Sequence, residues 1–155
     1  MTASASPWLR DQPITHSRRV RWGECDPAGV VYTPRFSDYA VEAFHDFMQE
    51  LLEGPLSQKL AQLDLGTPMK AMQFVFHRSL WPDQEFVIRS YGGDIRTRSF
   101  DLQMEASDAA GQSVFSARLS VICVHNQRRE SQAIPPALLE RLRLYGARFP
   151  APPPA

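Results

Sequence analysis

The stretch Trp22-Gly23-Glu24-Cys25-Asp26-Pro27-Ala28-Gly29-Val30-Val31-Tyr32-Thr33-Pro34 runs directly into a helical pattern from Arg35 to Leu52, and the two read together decide the fold. Pro27 fixes its own φ and pushes Asp26 toward extended geometry, while Gly29 tolerates backbone conformations closed to other residues. The turn is therefore specified. Thr33 before Pro34 reads as N-cap and first helical residue, because proline loses nothing where the N–H has no intrahelical partner. From there Phe36, Tyr39, Ala40, Ala43, Phe44, Phe47, Met48, Leu51 and Leu52 recur at three- and four-residue intervals, the period of a helix with one buried face. The spacing predicts a core helix over residues 35–52.

A carboxylate on a tight loop just upstream of such a helix has chemical potential. The first N–H groups of the helix carry the positive end of its dipole, so an activated carbonyl placed between them and Asp26 could be both polarised and attacked. On spacing alone an Asp-Pro-x-Gly tetrad is more often just a surface turn, and an Asp ahead of a helix more often solvated or capping.

Outward from this centre the chain alternates between strand and turn patterns. Val20 and Trp22 alternate with Arg19 and Arg21, which predicts a half-buried strand over residues 15–23 delivering the loop. After Gly54-Pro55, Leu56, Leu60, Leu63 and Leu65 suggest a short second helix ending at Gly66. Residues 69–81 form a strand pattern in which His77 is expected to face solvent or a partner subunit. Residues 85–96 form another, with Gly92-Gly93 predicting a bulge or strong bend. Phe100, Leu102, Met104 and Ala106 alternate with polar residues, Asp108-Ala109-Ala110-Gly111 turns the chain back, and Phe115 to Cys123 forms the last strand. Pro135-Pro136 introduces a C-terminal helix with Leu138, Leu139, Leu142 and Tyr145 on its apolar side and Arg141, Arg143 and Arg148 outward. A strand, a long helix, then four strands ordered by hairpins predicts a single α+β domain over residues 14–149, an antiparallel sheet wrapped around the central helix. Residues 1–13 read as a flexible arm and residues 150–155 as a disordered Pro-rich tail.

Composition narrows the function classes. The chain has 155 residues, and its 17 basic and 17 acidic residues cancel, so nothing in the balance points to nucleic acid or an anionic membrane. The N-terminal residues lack an apolar secretion core and no later run approaches a membrane span, which predicts a cytoplasmic protein. Cys25 and Cys123 are then free thiols. Cys25 lies where a lowered pKa would make it nucleophilic, but His16, His45, His77 and His125 are scattered, and none gives a Cys–His pair or metal spacing.

The segment Asp26-Pro27-Ala28-Gly29-Val30-Val31-Tyr32-Thr33-Pro34 closely resembles the active-site motif D-P-A-G-[IV]-[VI]-[WYF]-x-P of the hydroxybenzoyl-CoA thioesterase family of hotdog-fold enzymes. The resemblance implies an acyl-CoA thioesterase in which Asp26 is nucleophile or general base and the Thr33 amide activates the carbonyl. It places Gly29 and Tyr32 of the loop beside the substrate. A Gly66-Thr67-Pro68 turn matches a similar G-T-P in the family, with Thr67 bordering the acyl pocket. Arg96-Thr97-Arg98-Ser99-Phe100 resembles the family's basic corner, so Arg96, Arg98 and Ser99 are the expected coenzyme A contacts, with Thr97 standing where the family has a third basic residue. The central helix offers Val41 and Phe44 where the hydroxybenzoyl branch has a polar residue, which favours an apolar acyl group, benzoyl or another aryl first and short aliphatic second. No metal or redox cofactor is expected, the partners are an acyl-CoA and further copies of the chain in a dimer or tetramer, and hydrolysis proceeds through either an anhydride or an activated water. Two alternatives stand beside this: a non-catalytic acyl-CoA sensor or assembly module, and a hotdog dehydratase, whose expected histidine loop the four histidines do not present.

Overall fold

A computed structural model describes residues 10–153. Its elements are β1 (Thr15–Arg19), α1 (Arg35–Leu52), α2 (Leu56–Gln62), β2 (Met69–Phe76), β3 (Glu85–Ile95), β4 (Ser99–Asp108), β5 (Ser113–Ile122) and α3 (Pro136–Arg148). The five strands form one antiparallel sheet in the order β1-β3-β4-β5-β2. This is the α+β hotdog arrangement expected from the sequence.

The nine apolar residues that set the helical period are the nine that α1 buries. They lie against the inner face of the sheet, where Phe36 meets Phe76 and Phe115 with ring centroids 5.0 and 5.4 Å apart. Further along, Tyr39 packs on Phe86 at 5.1 Å and Phe47 on Tyr145 of α3 at 5.0 Å. α3 is tied in by the buried Tyr145 hydroxyl, which donates to Ser90 O at 2.6 Å and accepts from the Ile14 N–H at 2.9 Å. Arg141 is not an outward, solvated residue: it donates to Leu51 O at 2.8 Å, supplying a cation at the C-terminus of α1 where free carbonyls concentrate negative charge.

The bend expected at Gly92-Gly93 is present as a register shift between Gly92 and Ile95. Its cause is close approach on both sides. A Cβ at Gly92 would lie 2.5 Å from Gly146 Cα in α3, and one at Gly93 would lie 2.8 Å from Asp101 O. The predicted first strand is shorter than expected. It ends at Arg19, and Trp22 enters a single 3-10 turn where it is 83% exposed, because the chain must swing off the sheet to reach α1.

Residues 1–9 and 154–155, most of the arm and the end of the tail, lie outside the described residues. Of the arm, Arg10 pairs with Glu50 at 2.6 Å. Of the tail, the Ala151 N–H donates to Gly92 O at 3.1 Å, so its first residues pack on β3. No helix among the described residues is long and apolar enough to cross a membrane.

The two sheet edges differ. β1 is five residues long and carries Arg18 and Arg19, a short charged edge of the kind that resists pairing. β2 is eight residues long and leaves Val75 and Phe76 about half exposed, at 54% and 47%.

Candidate active site

The loop before α1 is a three-residue hairpin turn. The Asp26 N–H donates to Val30 O and the Gly29 N–H to Asp26 O, both at 2.9 Å, and Gly29 takes a φ of 84°. A left-handed last residue is what a three-residue loop of this kind requires, hence glycine. Asp26 Oδ1 accepts from the Ala28 N–H at 2.9 Å, while Oδ2 takes no hydrogen bond from the described residues. One oxygen orients the side chain and the other is left for chemistry.

The turn is braced from behind by Glu24. Its carboxylate receives both terminal nitrogens of Arg18, at 2.9 and 2.7 Å, together with the Arg21 N–H at 2.8 Å and the Tyr39 hydroxyl at 3.1 Å. Its carbonyl accepts from the Tyr32 N–H at 3.0 Å. Burial opposes the charge on Glu24, but the Arg18 and Arg21 hydrogen bonds outweigh it and hold the carboxyl at about 2. Arg18 also stacks over the Tyr39 ring at 4.7 Å and pairs with Glu42 at 2.8 Å, so loop, strand and helix share one ionic tether.

Asp26 and Thr33 line an open cleft of about 350 Å³ together with Val30, Val31, Phe36 and the segment from Phe76 to Ser79. The helix spans the expected residues 35–52, but its N-cap is Pro34, one residue later than the Thr33 expected. Its leading amides are already spent, those of Arg35, Phe36 and Ser37 donating to Tyr32, Thr33 and Pro34 at 2.8–3.2 Å. The Thr33 N–H, by contrast, has no acceptor among the described residues. The cleft thus holds a carboxylate oxygen and an unspent amide beside an aromatic wall of Phe36 and Phe76. A second cleft of about 340 Å³ at Ser17, Arg19, Glu85 and Asp108 lies apart, with Arg19 and Glu85 paired to each other at 2.7 Å.

The remaining expected site residues are dispersed. Gly29 shapes the turn, Tyr32 is 54% exposed beside it, and on α1 Val41 is partly covered and Phe44 buried; none of the four lines the cleft. Thr67 precedes β2, whereas Asp26 sits by the end of that strand, a run of about 26 Å at 3.3 Å per residue. Arg96, Arg98 and Ser99 lie at the same far end as Thr67, the two arginines in the β3–β4 turn and Ser99 at the start of β4. Arg96 is also occupied. It donates to Ser99 Oγ at 2.8 Å and pairs with Asp101, a buried carboxylate that Arg118 holds from the other side at 2.5 Å. Burial pushes against the charge on Asp101, yet the two guanidinium groups hold it well below the usual carboxylate range.

Residues 76–79 are the part of the cleft that the sequence reading left out, apart from an exposed His77. His77 is exposed, with Nε2 3.3 Å from Ser116 Oγ. Its place in the cleft with Asp26 goes with the Val31 N–H donating to Leu80 O at 2.9 Å, a long-range contact with no local pattern. The Cys25 thiol is pushed up by burial and by the neighbouring Asp26 and Glu24 charges, the reverse of what a nucleophilic thiol needs.

A model of the thioesterase-like superfamily matches residues 20–142. The chain belongs to that superfamily. As a member it is a thioester hydrolase, and the family resemblance read from residues 26–34 stands. No curated protein matches it. Among solved structures, a thioesterase superfamily protein from Jannaschia sp. CCS1 is 26% identical, with 92% of this chain and 96% of that one covered at a TM-score of 0.76. A 4-hydroxybenzoyl-CoA thioesterase mutant complexed with 4-hydroxybenzoyl-CoA is 22% identical, covering 84% and 99% at a TM-score of 0.74. A Staphylococcus aureus protein in complex with CoA is 13% identical, covering 93% and 90% at a TM-score of 0.84. The last two share the thioesterase fold with this chain.

Proposed function

We propose that the chain hydrolyses an acyl-CoA to free acid and coenzyme A in the cleft between the Asp26 loop and α1. The observation that carries this reading is the pairing of an unbonded Asp26 Oδ2 with an unspent Thr33 N–H in one cleft. The thioester carbonyl oxygen accepts from the Thr33 amide, which stabilises the negative charge that develops there during attack. Asp26 acts on the carbonyl carbon by one of two routes. Either its Oδ2 bonds to carbon and expels the coenzyme A thiolate, leaving a mixed anhydride that water then opens, or it takes a proton from a water whose oxygen makes that bond. Both routes start from the carboxylate and need no metal or redox cofactor.

The acyl group is aryl, benzoyl or a relative, with short aliphatic groups second. Phe36 and Phe76 supply an aromatic wall, their rings 5.0 Å between centroids and tilted 59° to one another, and the similar 4-hydroxybenzoyl-CoA thioesterase is named for an aromatic substrate. The wall comes from these two rings instead of from Val41 and Phe44.

The working form is at least a dimer, paired antiparallel along β2. That strand has a free edge and exposed Val75 and Phe76, and the pairing sets the Thr67 end of one copy against the Phe76 end of the other. Thr67, far from Asp26 in its own chain, then borders the neighbour's cleft. A reducing cytoplasmic setting suits the two free cysteines.

Coenzyme A release measured across benzoyl-, phenylacetyl-, 4-hydroxybenzoyl- and short-chain thioesters, beside Asp26→Asn, tests the reading. The variant is expected to lose about 100-fold or more in turnover, the scale of a lost general base. Equal turnover, or tight binding without turnover in the parent protein, would return the sensor reading.

A further inference from the structure

The Asp26 cleft ends against rings. Its lining includes Phe36 from the first turn of α1 and no residue of that helix further in, and on the sheet side it starts at Phe76, the last residue of β2. The next residues on the same helix face, Tyr39, Ala40 and Ala43, are covered to 0–1% exposure. Four phenylalanines close the way inward. Phe76 stands opposite Phe115 in the β2–β5 register, and Phe36 meets both. Phe74, two residues back along β2, stacks parallel to Phe76 with centroids 5.7 Å apart and meets Phe115 at 6.0 Å. Phe36 and Phe115 are buried, Phe74 is partly so, and Phe76 is the ring of the four that the fold leaves half uncovered.

The run from the reacting carbonyl to these rings is short. Phe36 lies three residues beyond Thr33, whose carbonyl accepts the Phe36 N–H at 3.2 Å, and in the reading above the Thr33 amide takes the thioester oxygen. The span of one helical turn, about 5.4 Å, has room for a single aromatic ring or a chain of about four carbons. The volume agrees. A cavity of about 150 Å³ takes a benzene ring, so a cleft of about 350 Å³ takes that ring with the thioester and the end of the coenzyme A arm. The 59° tilt between Phe36 and Phe76 offers an incoming aryl group both an edge and a face to pack on.

Resting on the acyl-CoA reading above, we propose that Phe76 determines acyl length: backed by Phe36 and Phe74, its ring is a stop that admits one aryl ring or a short chain and turns away longer ones. An octanoyl chain has to displace a packed ring or leave its outer carbons in water. Each methylene left there forfeits the gain of about fourfold in kcat/KM that a buried one brings. Removing the Phe76 ring opens space toward Phe74 and Phe115 and leaves Asp26, Thr33 and the Glu24 brace in place.

The test measures kcat/KM for benzoyl-, butyryl-, hexanoyl- and octanoyl-CoA in the parent protein and in Phe76→Ala. In the parent, benzoyl- and butyryl-CoA are expected to exceed octanoyl-CoA about tenfold or more. In Phe76→Ala that ratio is expected to fall about tenfold, the worth of about two newly buried methylenes. An unchanged ratio, including a loss shared equally by all four thioesters, overturns the proposal, and so does a parent protein that already prefers octanoyl-CoA. Phe76→Leu keeps an apolar group at the β2 edge and repeats the comparison should the alanine variant fold or assemble poorly. The ratio is expected to fall there too, and an unchanged one overturns the proposal. If the parent protein hydrolyses none of the four, the hydrolase reading has failed, and calorimetric titration decides on the stop alone. Weaker binding of octanoyl- than of butyryl-CoA in the parent but not in the variant upholds it, and any other order overturns it.

Discussion

Asp26 divides its two oxygens between a turn and a cleft, and that division explains the residues around it. Oδ1 is held by the Ala28 N–H, so the side chain has one orientation before any substrate arrives. Glu24 then fixes the turn as a whole. Its folded-state carboxyl lies near 2 against an ordinary 4.5, so its contribution is complete above about 4.5 and is lost as pH falls from there toward 2. Unfolding free energies of the parent protein and Glu24→Gln, measured from neutral pH down to about 2.5, should differ most at neutrality and converge in acid. The proposed role of Asp26 was legible in the stretch from Asp26 to Pro34, whose residue types carry the turn and the chemistry together. The brace was not legible, because Arg18 and Tyr39 reach Glu24 from a strand and a helix whose relation no short pattern records.

At the scale of elements, α1 and β2 define the site between them. The buried face of α1 was written in its period, and the strands fall within a few residues of the alternating runs. Trp22 departs from its pattern because alternation persists into a segment that has already left the sheet. The free edge of β2 is the element-scale consequence. A lysine introduced at Val75 puts a charge where two copies would meet, a device by which edge strands resist pairing. Val75→Lys should therefore sediment as a smaller species than the parent protein and lose turnover, with its circular dichroism spectrum retained.

In the whole molecule, one end of the sheet carries the carboxylate and the other carries Thr67 and Arg98. Strand order β1-β3-β4-β5-β2 sets that separation, and order is the property least visible in a linear pattern. The outer face is held by Asp101 between Arg96 and Arg118. Asp101→Asn would leave two half-exposed cations facing one another with only the exposed Asp94, 3.0 Å from Arg118, to balance them, at a cost of about 1–3 kcal/mol. Thermal unfolding should show this as a lowered midpoint, most clearly at low salt, where the remaining repulsion is least screened.

The seam between Gly92 and Gly146 is lopsided. From the strand side a methyl would collide with helix backbone at 2.5 Å, whereas from the helix side it would find Gly92 Cα at a comfortable 3.9 Å. Two glycines that touch one another therefore hold unequal freedom to evolve. Gly146→Ala trades a flexible helical link for a stiffer one and should raise the melting temperature, by up to about 1 kcal/mol in stability. Gly92→Ala would prise α3 off its seat and lower it.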